Sequence, residues 1–416
     1  MSPPVFLAIN LSILGINMTT QIFCCRFRKL CLPLTAIMLA LPIAAQPYTP
    51  ANDNVVLEQL PYKLPTASNR ERLDLRQTLA QAPHNLPLAL RVAQLNITQS
   101  RISSDPRYLG YAQAALAPWW TLPQPPVSVL VLRAIVRQAN HEFDAALDDL
   151  SAALQREPRH AQALLTRASI LQARGDFAAA REACIRLAPL VNRLIGDTCL
   201  SAVMSLNGEA KSSYSLLQTT LAQSPEPAPA ERQWVEGLLA EMATRRGAIA
   251  EADTHFQKAL AATVPDSYLL ASYADFLLAS GRMSDVINLL NAHTRSDPLL
   301  LRLALAEQAL QLPEATAHIT ALGERFNASQ RRGEVLHRRE QSRFTLHLLQ
   351  QPSAALQLAK ANWSVQREPA DAQILLETAL ACHDFAAAEP VLDWMQQTRL
   401  EDVQLAALQT KIQAKQ

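Results

Sequence analysis

Glycine is scarce, with only 10 in 416 residues, and no stretch of the chain forms a Gly-rich phosphate loop. Net charge is almost absent. Thirty-eight Lys and Arg balance 37 Asp and Glu, leaving +1 and a pI of about 7.7. That balance carries no global footprint for DNA, RNA or an anionic membrane surface. The basic side is mostly Arg interleaved with acids, the pattern of a solvated helix face. Catalytic signatures are missing as well. There is no Gly-x-Ser-x-Gly elbow and no His-Glu-x-x-His zinc helix. His141-Glu142 begins the latter, but Ala145 stands where the second histidine belongs. The nine histidines are scattered, and His337 and His347, ten residues apart in an Arg-rich segment, read as exposed. Asp148-Asp149 reads as two neighbouring acids on a solvated face, their side chains diverging. No catalytic, cofactor-binding or metal-ligating residue is therefore predicted, and no cofactor.

What is abundant is helix-forming Ala, Leu and Gln. At the N-terminus, Arg26, Arg28 and Lys29 precede an apolar run over residues 30–43 and then Ala44-Ala45-Gln46. A basic segment, a short apolar core and small residues describe a secretory signal, with cleavage expected after Ala45. Translation from Met18 would give that signal ordinary length. The run falls short of the ~20 apolar residues of a spanning helix, and no later stretch of the chain reaches that length. Residues 46–69 lack helical period, carry several prolines, and read as an extended or disordered lead-in.

A fixed period then organises the chain. Residues 161–193 carry Leu164, Ala168, Leu171, Gly175-Asp176-Phe177, Ala180, Cys184 and Pro189. Thirty-four residues earlier stand Leu130, Ala134, His141-Glu142-Phe143, Ala146, Leu150 and Pro158. Later copies hold Leu200, Gly208, Leu217 and Pro225, then Leu270, Ala274, Gly281, Val286, Leu290 and Pro298. Each position has a physical reason. Ala134, Ala168 and Ala274 let a first helix cross its partner at the usual close separation, with Ala146 and Ala180 opposite. Apolar residues three and four apart form one buried stripe per helix. Gly175, Gly208 and Gly281 suit a left-handed C-cap, and Pro158, Pro225 and Pro298 are read as ending second helices. About eight units follow. The clearest run occupies 127–300, including one around Trp234, Ala252, Phe256 and Ala259. Residues 70–126 hold a degenerate unit, with an insertion at 103–106, and a connector containing Trp119-Trp120. Residues 301–337 are blurred, and 338–416 recover the register and end in a cap helix. The paired tryptophans read as an apolar end cap or a docking surface, and residues 222–229 as a stiff joint.

These units resemble the tetratricopeptide repeat, and the resemblance covers roughly 300 residues. It implies an all-α, right-handed α-solenoid of stacked antiparallel helix pairs with first helices lining a concave groove. It also implies a protein or peptide partner held there, and no catalysis. Carried over unit by unit, the groove positions are Ser128, Val131, Ile135 and Gln138, then Gln162, Leu165, Ser169 and Gln172. Ile195, Thr198, Ala202 and Ser205 follow, then Tyr268, Ala271, Asp275 and Leu278. The strip so defined is nearly uncharged and matches an apolar or hydrogen-bonding guest. Packing between units is the alternative role for several of these side chains.

Three cysteines follow the signal: Cys184, Cys199 and Cys382. The repeat phase sets Cys184 and Cys199 on adjacent helices. An oxidising compartment would let them form a disulfide; the alternative is two small buried side chains. The expectation is thus an exported scaffold, periplasmic or secreted from a bacterial cell, soluble after cleavage and associated with an envelope complex. The rival readings are an enzyme or accessory subunit with its site in the irregular insertions, and a cytoplasmic regulatory repeat if the signal is false.

Overall fold

The computed structural model describes residues 67–331 and 337–415. The expected signal, and the lead-in as far as residue 66, lie outside the described residues. Among those described every regular element is helical. A leading helix α1 (Ala67–Gln81) is followed by the pair α2 (Leu86–Ser103) and α3 (Arg107–Ala115) and by the short α4 (Ala117–Trp120). The regular array runs through α5 (Val127–Ala139) and α6 (Phe143–Arg156), α7 (Ala161–Ala173) and α8 (Phe177–Leu187), and α9 (Arg193–Met204) and α10 (Ala210–Gln223). It continues in α11 (Pro229–Arg245) and α12 (Ile249–Ala262), α13 (Ser267–Ala279) and α14 (Met283–Leu290), and α15 (Asp297–Ala309) and α16 (Glu314–Arg331). Two further pairs are α17 (Arg338–Arg343) with α18 (Pro352–Trp363), and α19 (Pro369–Cys382) with α20 (Glu389–Thr398); α21 (Val403–Gln413) closes the chain. Consecutive helices pack pairwise, and successive first helices touch. This is an α-solenoid of stacked antiparallel helix pairs.

The in-phase residues do what their sizes dictate. Ala134, Ala146, Ala180 and Ala274 have no exposed surface, and Ala168 is 2% exposed. Gly175, Gly208 and Gly281 sit between the helices of their pairs at φ 78°, 77° and 72°, a left-handed conformation that disfavours any side chain. Gly247 (φ 73°) does the same for α11 and α12. Helix starts are capped by side chains: Asp176 accepts from the Ala179 amide (3.1 Å) and Asp266 from the Leu269 amide (2.9 Å).

Five details depart from expectation. α1 begins at Ala67, so the last residues of the lead-in are helical. Residues 103–106 are no insertion but the turn between α2 and α3, with Ser104 left-handed at φ 52°. The blurred stretch after residue 301 is a complete pair, α15 with α16, so nine pairs exist among the described residues. Pro158 and Pro225 follow second helices as expected, but Pro298 lies in the first turn of α15, where its missing N–H costs nothing. Asp149 is buried, not solvated: Arg133 Nε and Nη2 donate to it at 2.9 and 2.6 Å and Arg137 Nη1 at 2.7 Å.

The array bends back on itself. Residues 127–206 share one apolar cluster with residues 346–412, far apart in sequence. The return path follows the edge made by the turns inside successive pairs. The Arg367 amide donates to the Ala173 carbonyl at 2.7 Å. A β-carbon on Gly175 would lie 3.1 Å from Trp394 Nε1, one on Gly208 3.0 Å from Arg399 Cβ, and one on Gly247 3.5 Å from Val403 Cγ1. Glu401 accepts from the Ala210 amide at 3.4 Å. Near the other end, Ser267 Oγ donates to the Ile102 carbonyl (2.9 Å), and Arg101 faces Asp266 at 3.7 Å.

Candidate functional site: a cavity between the first helices and the returning units

Closure of the array turns the concave groove into a cavity of about 560 Å³. That falls inside the range of about 300–1,000 Å³ typical of ligand sites. First helices α7, α9, α11, α13 and α15 form one wall, and α17 and α19 the other. Of the predicted groove residues, Leu165, Ser169, Gln172, Tyr268 and Asp275 line it, together with Ala202, Ala271 and Leu278. Ser128, Val131, Ile135, Gln138 and Gln162 do not. Val131 is 3% exposed, inside the apolar cluster that the first units share with the C-terminal helices. Ile135 packs against the same cluster, and Gln138 is buried. Gln162 donates to Thr166 Oγ1 at 3.2 Å along its own helix. The inner face of α5 is core because α2, α3, α6 and α7 pack around the helix.

The walls are not neutral, which corrects the reading of an uncharged strip. Arg302 on α15 is 4% exposed and donates Nη2 to Asp275 (2.5 Å), Nε to the Ala271 carbonyl (3.1 Å) and Nη1 to the Pro298 carbonyl (2.8 Å). Arg343 Nη1 reaches the other Asp275 oxygen at 2.8 Å. Burial raises the Asp275 pKa, and the two guanidiniums outweigh it, holding the carboxyl below its ordinary value. On the opposite wall Arg339 meets Glu368 (3.0 Å), Asp371 (3.3 Å) and Glu340 (3.4 Å). Burial opposes ionisation of Glu340, but Arg339, His337 and Arg302 prevail and bring it to about 2. His347 Nε2 lies 3.0 Å from Glu377. His347 and His337 are therefore engaged with acids, not merely exposed.

Among the described residues the cavity charges Glu241, Arg245 and Asp402 have no such partner. Glu241 on α11 takes Ser272 Oγ at 3.5 Å and hydrogen-bonds Tyr268. Burial raises its pKa, and Arg245, Tyr268 and Ser272 oppose that only in part. Tyr268 is itself pushed well up, by burial and then by Glu241 and Glu368. Arg245, one turn along, donates Nη2 to Ser205 Oγ at 3.0 Å, and its buried Nε has no acceptor. Sequence reasoning passed over α11. The same three- and four-residue spacing continued into it reaches Leu238, Glu241 and Arg245, and in α15 it reaches Arg302 and Leu305.

Cys184 on α8 and Cys199 on α9 form a disulfide in the cavity wall, with Cα atoms 5.6 Å apart; Cys382 is a free thiol. Trp119 and Trp120 lie partly buried against the N-terminal apolar cluster. His141 occupies the phase of the turn glycines, left-handed at φ 53°. Burial, with Arg339 and His337 nearby, lowers its pKa to about 3. Among the described residues no three His, Cys, Asp or Glu side chains converge as a metal site, and no helix is long and apolar enough to cross a membrane.

No family model matches the chain, and no curated protein matches it in sequence. Several solved structures are similar to it. The APC/C hetero-tetramer Cut9–Hcn1 is 14% identical, covering 83% of this chain and 86% of that one, with a TM-score of 0.40. The TPR domain of P58(IPK) is 15% identical over 83% of this chain and 97% of its own, with a TM-score of 0.22. Naa15/Naa10 bound to HypK-THB is 13% identical, covering 84% of this chain and 56% of that one, with a TM-score of 0.27. At these values the assignment of fold rests on the helix pairing itself.

Proposed function

We propose that this chain is an exported scaffold that holds a segment of another protein in the cavity between its first helices and its returning C-terminal units, without catalysing a reaction. The observation that carries the reading is the cavity wall itself, to which first helices of five successive pairs contribute. Apolar side chains there (Leu165, Leu238, Leu278, Leu305) alternate with fixed ionic groups, the mixture that favours a specific guest over a greasy surface. Two features support export: the basic–apolar–small pattern at residues 26–45, and the bridged Cys184–Cys199, a linkage that persists in oxidising compartments and is rare in the cytosol. An envelope complex is the setting these features favour.

Site-specific photo-crosslinking in the native host tests the reading. A photoreactive residue at Gln172 or Leu278 is expected to give a discrete adduct that one at the outward-facing Ile185, 55% exposed, does not. Equal labelling from all three positions would remove the cavity as the partner site. Fractionation with N-terminal sequencing tests export: a mature protein starting at Gln46 is expected, and a full-length cytoplasmic product refutes it.

A further inference from the structure

The charges around the cavity divide into two kinds. Arg302, Arg339 and Arg343 each sit against carboxylates at 2.5–3.4 Å and are neutralised inside the wall. Glu241 and Arg245 are different. Among the described residues neither meets a counter-charge within the 4.0 Å reach of an ion pair, not even the other. The nearby Asp402 spends Oδ1 on capping α21, accepting from the Gln404 and Leu405 amides at 2.9 and 3.1 Å. An acid and a base four residues apart on an exposed helix gain little from pairing. In the cavity wall the desolvation cost at Glu241 is only partly offset by Arg245, Tyr268 and Ser272, and a ligand of opposite charge relieves the rest.

The geometry points to a dipolar guest: a short apolar peptide with both ends free, its ammonium group on Glu241 and its carboxylate on Arg245. Three features fix that chemistry. Tyr268 and Ser272 stand beside Glu241 as neutral hydrogen-bonding groups, suited to orienting an ammonium without neutralising the acid. Arg245 spends Nη2 on Ser205 and holds Nε buried, which leaves Nη1, without a bond among the described residues, to meet a carboxylate. The two residues are one helical turn apart, about 6 Å along the axis, and a chain of two or three extended residues spans about 7–11 Å. Leu238, one turn before Glu241, and Leu278 on α13 add apolar surface to the same cavity for the guest's side chains. The inference rests on the cavity being the partner site, and it names the end groups that site reads. The guest is then a processed fragment, not an internal loop or the single terminus of an intact chain.

Equilibrium dialysis of the full mature protein against a mixture of tripeptides of Ala, Leu and Val tests this, followed by calorimetry on those retained. Free-ended peptides are expected to bind, and N-acetylation or C-amidation should each weaken binding about tenfold or more, since a hydrogen bond to a charged group contributes about 1.5–3 kcal/mol. Glu241→Gln should abolish the sensitivity to N-acetylation alone, and Arg245→Met the sensitivity to C-amidation alone. Both variants keep the side-chain volume, and their unfolding midpoints are measured alongside. Binding of doubly capped peptides as tight as that of free ones overturns the dipolar guest and leaves the cavity as a partner site. Retention of no tripeptide overturns it too, while cavity-specific crosslinks decide the broader reading independently.

Discussion

Gly208→Ala and Gly281→Ala impose the same backbone insult in different surroundings. Both glycines have left-handed backbones, at φ 77° and 72°. Placing alanine in that region costs about 1–2 kcal/mol whatever lies nearby. Around Gly281 nothing lies within 4 Å of the new methyl, so that cost is the whole effect. At Gly208 the methyl would sit 3.0 Å from Arg399 Cβ and 3.6 Å from the Arg399 carbonyl oxygen. Carbon atoms attract best at 3.5–4.0 Å, so 3.0 Å is on the repulsive wall and overpacking adds about 1–3 kcal/mol. Urea unfolding should therefore show Gly281→Ala losing about 1–2 kcal/mol and Gly208→Ala about 2–5. Arg399→Gly completes a double-mutant cycle: it removes the offending β-carbon and relaxes the left-handed Arg399 (φ 52°). The coupling between positions 208 and 399 should recover the extra 1–3 kcal/mol. Equal losses at both glycines, with no coupling to residue 399, would refute the return of the C-terminal segment onto the turn edge.

Three other outcomes follow from the same coordinates. Asp149→Ala should destabilise by about 3 kcal/mol in urea, because it strands the buried Arg133, whereas Asp148→Ala should stay within about 0.5; similar small effects at both would restore the solvated reading. Reductant, or Cys184→Ala with Cys199→Ala, should lower stability by about 3 kcal/mol for a cross-link 15 residues apart, and mapping of unreduced protein should recover one linked peptide pair. His141, held to about 3 by burial and by Arg339 and His337, binds its proton far more readily once unfolded. Stability is then full above pH 6.5 and falls as pH drops towards 3, losing on the order of 1 kcal/mol by pH 5.5; His141→Asn, which tolerates φ 53° and does not titrate, should remove that slope.

The units were legible because each position in the period answers to its nearest neighbours. Ala134 and Ala168 must be small where helices cross, and Gly175 and Gly208 must turn left-handed. Those demands are local and repeat every 34 residues. Closure is not local. Whether Trp394 reaches Gly175, or Glu401 reaches Ala210, depends on small rotations accumulated over many pairs, which no periodicity encodes. The errors cluster accordingly. Val131 and Gln138 hold groove positions in the period, yet both are buried where neighbouring helices pack around α5. Asp149, His337 and His347 were assigned to solvent because a charged residue on a helix looks the same in sequence whether it meets water or a buried arginine. Pro298 was read as a terminator because proline marks a helix boundary without saying which helix it bounds.

An open repeat array has nearly additive energetics, each unit stabilised by two neighbours and free to fray from either tip. The contact of Ala210 with Glu401 spans 191 residues, and it changes that behaviour. Long-range contacts raise contact order, and ordering so long a segment must precede any gain from the closure. Folding is therefore expected in two regimes, rapid stacking of adjacent pairs and then a slower joining of the tail to the turns of the α7–α8, α9–α10 and α11–α12 pairs. Hydrogen exchange should reflect it. Amides of α9 and α11 should open together with those of α21 as one cooperative block.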